Sequence, residues 1–180
     1  IEASVESLIR AYNLVTSEPL GPVYVCFDAD VQEQKLDRAY QLPDFSRYPK
    51  PTRLQADAAA LGEIAAMLIA SKNPVVLANF LGRSEDAVRG LIQLAESLAM
   101  PVINGGDFFN FPTRHPLYAA ESKDALLAEA DLVLALDVYD LQQDLTLLDR
   151  NTRMATDILR PDAKLIDISL RQLLTKSWAD

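Results

Sequence analysis

Continuous apolar runs and amphipathic stretches follow one another along this chain, most clearly between Pro74 and Gly106. Residues 74–78 and 101–103 are continuous apolar runs, which are typical of strands covered on both faces. Between them, apolar residues recur at the spacing of an amphipathic helix with Ser84 as its N-cap: Val88, Leu91, Ile92 and Ala95. A helix between two buried strands predicts a parallel β-α-β unit.

The same pattern predicts further elements on both sides of this unit. Helical spacing covers residues 3–17, 54–72 and 122–130, with one or two helices within 139–159. Buried strands are predicted at 21–27, 131–137 and 163–169. Strands that alternate with helices predict an α/β fold, here a doubly wound, Rossmann-like parallel sheet of about six strands with helices on both faces.

The stretch between the first predicted strand and the second long helix has a different composition. Residues 35–53 are polar, lack periodicity and contain Pro43, Pro49 and Pro51, which is typical of an extended linker. We therefore expect three parts: the end of one domain at 1–34, a linker at 35–53 and a second domain at 54–180. Since the chain begins with Ile1 rather than Met, we expect it to be a piece of a longer protein.

The composition of the chain argues against some classes of binding partner. The chain has 180 residues, is 49% hydrophobic and carries a net charge of -9, which disfavours nucleic acid as a partner. Cys26 is the only cysteine, so there is no intrachain disulfide, and we expect a cytoplasmic protein. No apolar run has the length of a membrane span, so no membrane partner is expected.

The common chemical signatures GxGxxG, the P-loop, HExxH and GxSxG are absent from the sequence. In open parallel sheets, ligands bind beyond the carboxyl ends of the strands, here residues 79–83 and 104–107. Gly82 and the pair Gly105-Gly106 either let a backbone approach a phosphate there or, as is more common, are turn residues with positive φ. Asp137 and Asp167 at strand ends either bind ribose hydroxyls or cap the next helix.

The remaining reactive side chains have ordinary structural roles on this interpretation. His115 is the sole histidine, which excludes a cluster of histidine metal ligands within the chain and favours a hydrogen-bonding role. Cys26 in an apolar predicted strand is expected to be an inert core thiol. Asp28 and Asp30 are expected to form a solvated N-cap rather than a metal site.

Six segments carry a resemblance to a known family by their order and spacing. They are GPVYVCFDADVQ (21–32), PVVLANFLGRSEDAV (74–88), LAESLAMPVI (94–103), HPLY (115–118), EADLVLALD (129–137) and LIDIS (165–169). The set resembles the large thiamine diphosphate-dependent enzymes of the acetolactate synthase, benzoylformate decarboxylase and oxalyl-CoA decarboxylase group.

The resemblance implies that residues 1–34 end a pyrimidine-binding domain and that 54–180 form the non-catalytic central domain. The parent would be a homo-oligomeric lyase or transferase acting on 2-keto acids or acyl-CoA, with thiamine diphosphate and magnesium held by its other domains. The activating glutamate would lie upstream of this chain and the Gly-Asp-Gly motif downstream of it. This fragment is therefore not expected to bind thiamine diphosphate, and its partners would be the remaining domains of the same polypeptide.

Some members of this family bind FAD or ADP in the central domain. The resemblance implies that such a nucleotide would contact Asn79, Gly82, Arg83, Asn104, Gly105, Ala120, Asp137 and Asp167. The sequence departs from the family pattern because Asn79, Phe80 and Leu81 replace glycines, as do Ala119 and Asp137, and Ser169 replaces an acid. Added side chains and an added carboxylate obstruct a diphosphate, so we expect a degraded nucleotide site. Two other interpretations stay open: a working FAD or ADP module, and a Rossmann-like domain for protein association.

Overall fold

A computed structural model describes residues 2–36, 38–52, 54–105 and 108–170. The chain divides into two compact units, Ile1–Gln55 and Ala56–Asp180. The described part of the first unit contains helix α1 (Glu2–Val15), helix α2 (Ala29–Glu33) and a 3-10 turn at Phe45–Arg47. The helix predicted at 3–17 is thereby confirmed, and Asp28 caps α2 by accepting a hydrogen bond from the backbone N–H of Asp30 at 2.9 Å.

The strand predicted at 21–27 is wrong. These residues have no regular structure, and Cys26 is exposed, so the expected core thiol is wrong as well. An apolar run becomes a strand only when a neighbouring strand satisfies its backbone hydrogen bonds, and no described strand pairs with this segment. None of the described residues of the first unit is buried.

The second unit alternates helices and strands. Its helices are α3 (Ala58–Ala70), α4 (Glu85–Leu98), α5 (Lys123–Glu129) and α6 (Leu141–Leu145). Its strands are β1 (Pro74–Ala78), β2 (Val102–Asn104), β3 (Leu132–Leu136), β4 (Thr146–Leu148), β5 (Ala155–Asp157) and β6 (Lys164–Ile168). Strands β2, β1, β3 and β6 form a parallel sheet in that order.

The parallel sheet among the described residues has four strands, not the six predicted. The segment 21–27 accounts for one of the missing strands, because it joins no described sheet. The region 139–159, predicted as one or two helices, also differs from the prediction. After the short α6, that region forms the antiparallel pair β4-β5 rather than a further helix. Arg153 has φ of 60° in the turn between the two strands, a left-handed conformation that interrupts a helix.

The buried side chains alternate along β1, β2 and β3 and face two separate helical layers. On one face the strands pack against α3 and α4, through Leu68, Val76, Ala78, Leu91, Ala95, Val102, Phe111, Leu132 and Leu134. On the other face they pack against α5 and α6, through Val75, Leu77, Ile103, Leu127, Val133, Ala135 and Val138. A strand places successive side chains on opposite faces, so unbroken apolar runs produce two cores. The predicted α/β fold with helices on both faces is confirmed.

The aromatic-rich segment 108–118, before α5, packs over the edge of the sheet. Tyr118 forms a parallel bridge with Val102, and the backbone N–H of Val102 donates to the carbonyl of Leu117 at 2.8 Å. Phe111 is fully buried in the core. This segment therefore covers the free edge of β2, which would otherwise expose unpaired backbone groups.

A single carboxylate joins the amino-terminal ends of β1 and β3. Asp131 accepts hydrogen bonds from the hydroxyl of Ser71 and from the backbone N–H groups of Lys72 at 2.7 Å and Asn73 at 2.9 Å. The Ser71 bond, followed by the Lys72 bond, lowers the pKa of Asp131 from 3.8 to about 2, because these donors stabilise the ionised form.

Candidate functional site

The strand order creates one crevice at the carboxyl edge of the sheet. From β1 the chain passes through α4 on one face to β2, whereas after β3 it enters α6 on the opposite face. The loops that follow β1 and β3 therefore diverge between adjacent strands. In doubly wound sheets this topological switch point is where ligands bind. Residues 79–84 and 137–140 form its two sides.

An ion pair spans the crevice. Arg83, in the turn Leu81–Arg83, directs its Nη2 at the Oδ2 atom of Asp137, and its Nε donates to the carbonyl of Phe80 at 2.9 Å. Asp137 is 8% exposed and accepts a second hydrogen bond, from the hydroxyl of Ser169 at 3.2 Å. Its backbone N–H donates to the carbonyl of Ile168 at 2.9 Å. The carboxyl ends of β1, β3 and β6 are thus connected through one aspartate.

Asp137 also has an uncommon backbone conformation. Its φ is 51°, in the left-handed region that favours glycine because a side chain there is crowded by the backbone. This residue directly follows β3, so the left-handed conformation turns the chain sharply from the sheet into the loop before α6. The aspartate is kept at a position where glycine is the less strained residue.

A second polar group lies beneath the other side of the crevice. The Nδ2 of Asn79 donates to the Oδ2 of Asp144 at 3.5 Å, and the Oδ1 of Asp144 forms an ion pair with Lys123 Nζ at 2.5 Å. Asn79 is 5% exposed, and its Oδ1 has no hydrogen-bond partner among the described residues. That oxygen lies 2.9 Å from the point where a Cβ on Gly105 would be, so any side chain at Gly105 would collide with it.

The glycines have a different role from the one predicted. No described glycine has a positive φ, so the interpretation of Gly82 and Gly105 as left-handed turn residues is wrong. A Cβ on Gly82 would lie 2.3 Å from the carbonyl oxygen of Phe109, and the N–H of Gly82 donates to Asn110 Oδ1 at 3.0 Å. Gly82 is required because another part of the chain approaches its backbone. Gly106 falls outside the described residues.

The predicted site residues are only partly brought together. Asn79, Gly82, Arg83, Asn104, Gly105 and Asp137 all lie at the carboxyl edge of the sheet. The side-chain oxygen of Asn104 is held by Asn110 Nδ2 at 2.5 Å. Ala120 lies in the 3-10 turn before α5, and Asp167 is inside β6, paired with Ala135.

Sequence reasoning missed three side chains that shape this region: Asn110, Lys123 and Asp144. Asn110 binds Gly82, 28 residues earlier, and Asp144 binds Lys123 and Asn79, 21 and 65 residues earlier, so no local pattern indicates these contacts. His115 has the structural role predicted for it. Its Nδ1 accepts from the N–H of Leu117 at 3.1 Å, which leaves Nε2 to donate to Glu96 at 3.2 Å.

The open volume of the crevice is small. A cavity of about 180 Å³ is lined by Asn79, Phe80, Gly105, Tyr139, Asp140, Gln143 and Asp144. Pockets for drug-sized ligands occupy roughly 300–1,000 Å³. FAD or ADP therefore does not fit this cavity, and the carboxylates of Asp140 and Asp144 in its lining would repel a diphosphate.

Among the described residues, no group of three or more His, Cys, Asp or Glu side chains lies close enough together to hold a metal ion. None of the helices in the described ranges has both the length and the apolar character to cross a membrane.

No protein-family model matches the chain, whereas solved structures share its fold. One is the thiamine diphosphate-dependent 4-hydroxybenzoylformate decarboxylase of Rhodococcus jostii RHA1, with a TM-score of 0.65 and 21% identity over 92% of this chain. Another is described as a thiamin diphosphate-dependent enzyme from Mycobacterium smegmatis, with a TM-score of 0.61 and 22% identity over 90% of this chain. The match covers only 31% and 30% of those chains. The fold of this chain is thus the fold of one part of thiamine diphosphate-dependent enzymes.

Proposed function

We propose that this chain is the central, non-catalytic domain of a thiamine diphosphate- and magnesium-dependent enzyme that decarboxylates or ligates 2-keto acids or acyl-CoA. The main support for the proposal is the share of each chain that the structural match covers. Nine-tenths of this chain matches less than a third of each neighbouring structure, as expected of one domain among three. The two neighbours are both described as dependent on thiamine diphosphate, and one of them as a decarboxylase.

The side chains of this fragment support a structural rather than a catalytic role. The sequence contains no Gly-Asp-Gly motif, and the polar groups of the crevice bind one another. In the parent enzyme the cofactor would supply the carbanion chemistry by stabilising negative charge on the substrate carbon. This domain would separate and position the two cofactor-binding domains, and its partners would be those domains within a cytoplasmic homo-oligomer.

The test uses the complete polypeptide that contains this chain. We expect it to bind thiamine diphosphate with magnesium in a calorimetric titration and to release carbon dioxide from at least one 2-keto acid or oxalyl-CoA. Residues 1–180 alone should do neither. If the complete polypeptide neither binds the cofactor nor turns over any such substrate, the proposal is wrong and a domain for protein association is favoured.

A matched variant separates the structural from the catalytic role. Arg83→Gln in the complete polypeptide breaks the ion pair with Asp137 but leaves the other domains unchanged. We expect the affinity for thiamine diphosphate to stay within about twofold of the parent value. A tenfold loss, equal to about 1.4 kcal/mol, would assign this crevice a direct part in cofactor binding and would contradict a spacer role.

A further inference from the structure

The cavity at the carboxyl edge of the sheet is lined by carboxylates and aromatic rings. Its volume is about 180 Å³, and its lining contains Asp140 and Asp144 but, within the described part of the chain, no lysine or arginine. Phe80 and Tyr139 also belong to the lining, and the centroids of their rings are 6.4 Å apart. Carboxylates and aromatic faces both attract cations, so this lining suits a positively charged ligand.

A buried acceptor without a partner belongs to the same lining. Asn79 is 5% exposed, and its Nδ2 donates to Asp144 Oδ2 at 3.5 Å, so the amide nitrogen rather than the oxygen meets the carboxylate. The Oδ1 of Asn79 has no hydrogen-bond partner among the residues that the structure describes. A buried polar atom left unpaired costs free energy, and a donor from a ligand would recover it.

Gly105 leaves the space in front of this oxygen open. It is another lining residue of the cavity, and a Cβ built on it would lie 2.9 Å from Asn79 Oδ1 and 3.7 Å from each carboxylate oxygen of Asp144. Because glycine has no Cβ, three side-chain oxygens border a space that no side chain at position 105 fills. Three converging acceptors match the three N–H groups of a primary ammonium ion.

We propose that this cavity binds a primary alkylammonium group, with Asn79 Oδ1 and the Asp144 carboxylate as its hydrogen-bond acceptors. Asp140 supplies the balancing negative charge, and the rings of Phe80 and Tyr139 border the alkyl chain. The ligand is a small amine or the end of a lysine side chain, which share this chemistry. Such binding does not depend on the reaction of the parent enzyme.

The balance of charge around the cavity favours an added cation. Asp144 Oδ1 binds Lys123 Nζ at 2.5 Å, which is itself a contact with a primary ammonium group, and this pair is electrically neutral. Asp140 caps α6 by accepting a hydrogen bond from the backbone N–H of Gln143 at 2.9 Å, and no described basic side chain pairs with it. A cationic ligand would therefore balance a charge that the described chain leaves uncompensated.

The size of the cavity and its polar groups limit the ligand class. Pockets for drug-sized ligands occupy roughly 300–1,000 Å³, so a cavity of about 180 Å³ suits an amine with a few carbon atoms. A quaternary ammonium ion has the same charge but no N–H to donate to Asn79. A metal ion is disfavoured, since the described residues contain no cluster of three or more His, Cys, Asp or Glu side chains.

The experiment is an NMR titration of residues 1–180 with n-butylammonium chloride at constant ionic strength. It follows two signals, the side-chain amide of Asn79 and the backbone N–H of Gly105. Both signals should shift saturably, with a dissociation constant of about 1–10 mM because few ligand atoms make contact. Tetramethylammonium should bind about fivefold more weakly or less, since it cannot donate a hydrogen bond to Asn79.

Two helix N-caps provide a matched pair of variants. Asp140→Asn removes the uncompensated charge but keeps a residue that caps a helix, so the affinity for n-butylammonium should fall about fivefold. Asp57→Asn makes the same change at the N-cap of α3, which packs on the opposite face of the sheet, and should leave the affinity unchanged. An equal loss in both variants would show that only the net charge of the chain attracts the amine, and would overturn the proposal.

Gly105→Ala tests the open space itself. The added Cβ lies against Asn79 Oδ1, so binding of n-butylammonium should be lost. Circular dichroism establishes folding, and if Gly105→Ala does not fold, Asp140→Asn decides the question. The proposal is wrong if neither signal shifts saturably, if tetramethylammonium binds equally well, or if a folded Asp140→Asn or Gly105→Ala variant binds undiminished.

A further ligand separates the two sources of the ammonium group. N-acetyl-lysine N-methylamide presents the same alkylammonium on a peptide backbone. Binding at least as tight as that of n-butylammonium would assign the site to a lysine side chain of a protein. Weaker binding would assign it to a free amine, because the backbone would then be excluded from the mouth of the cavity.

Discussion

The ionised carboxylate of Asp131 contributes to the stability of the sheet. Its carboxylate holds three donors from residues 71–73, and these bonds lower its pKa to about 2. Because the folded pKa is below the ordinary value of 3.8, the stabilisation is fully present above about pH 4. It is lost progressively as the pH falls from about 4 towards 2. Acid should therefore weaken the contact between the start of β1 and the start of β3.

We predict that Asp131→Asn lowers the free energy of unfolding at pH 7 by about 1 kcal/mol, since a neutral amide accepts these hydrogen bonds less strongly. Urea unfolding at pH 7 and at pH 3 measures the effect. The difference between the variant and the unmodified chain should shrink at pH 3. Asp157→Asn, at an exposed aspartate of β5, is the control and should change stability little. An equal loss at both pH values would show that charge is not the cause.

The role of a residue was predictable from the sequence where its hydrogen-bond partner is only a few residues away along the chain. Ser84 caps α4 as predicted, because its hydroxyl reaches the N–H of Ala87 three residues later at 3.4 Å. Asn110 was not predictable, because it binds Gly82, 28 residues earlier. The ion pair between Arg83 and Asp137 links residues that were each identified as candidates, yet spacing alone did not reveal their contact.

At the scale of elements, the periodicity of apolar residues predicted the helices and strands that bury apolar surface. Helix α4 and strands β1 to β3 were predicted correctly, because each has a continuous apolar stripe or run that the fold covers. The hairpin β4-β5 was missed because its residues are largely exposed, so its stability does not depend on an apolar pattern. The predicted strand at 21–27 was wrong for the opposite reason: the apolar run exists, but no described strand pairs with it.

Two glycines in the β1-α4 region should respond oppositely to alanine. Gly82→Ala places a Cβ 2.3 Å from the Phe109 carbonyl, so the loop must shift, and we predict a loss of roughly 1–3 kcal/mol. Gly90 lies exposed within α4 with no atom within 4 Å of an added Cβ. Gly90→Ala should raise stability by about 0.5–1 kcal/mol through helix propensity. Urea denaturation of both variants measures these changes.

Equal effects from the two substitutions would contradict this account. If Gly82→Ala were neutral, the segment 108–111 would have to yield without cost, and the close backbone approach would not be a requirement. If Gly90→Ala were destabilising, the exposed face of α4 would have to contact another part of the polypeptide. Gly82→Ala therefore tests the contact between the loop after β1 and the segment 108–111. Gly90→Ala tests the exposed face of α4.

At the scale of the whole molecule, the two compact units differ in their content of buried side chains. The buried residues of the described chain all lie between Leu68 and Val138, in the unit Ala56–Asp180. The described part of Ile1–Gln55 has helices but no buried side chain. Stability in water comes mainly from burial of apolar area, so we expect the second unit to hold the cooperative core. The prolines and polar residues of 35–53 are the basis on which the sequence predicts a linker there.

Limited digestion with trypsin tests that division. Lys35 is exposed, lies in a stretch without helix or strand and precedes Leu36, whereas Arg89, the basic residue of α4, is held within a packed helix. Since cleavage requires about ten residues of extended backbone, we predict early cuts between residues 35 and 53 and a resistant fragment that begins near residue 54. Mass spectrometry of the time course identifies the fragment. Early cleavage at Arg89 within α4, at a rate equal to that at Lys35, would contradict the assignment of the core, because it would require the central β-α-β unit to open as readily as the linker.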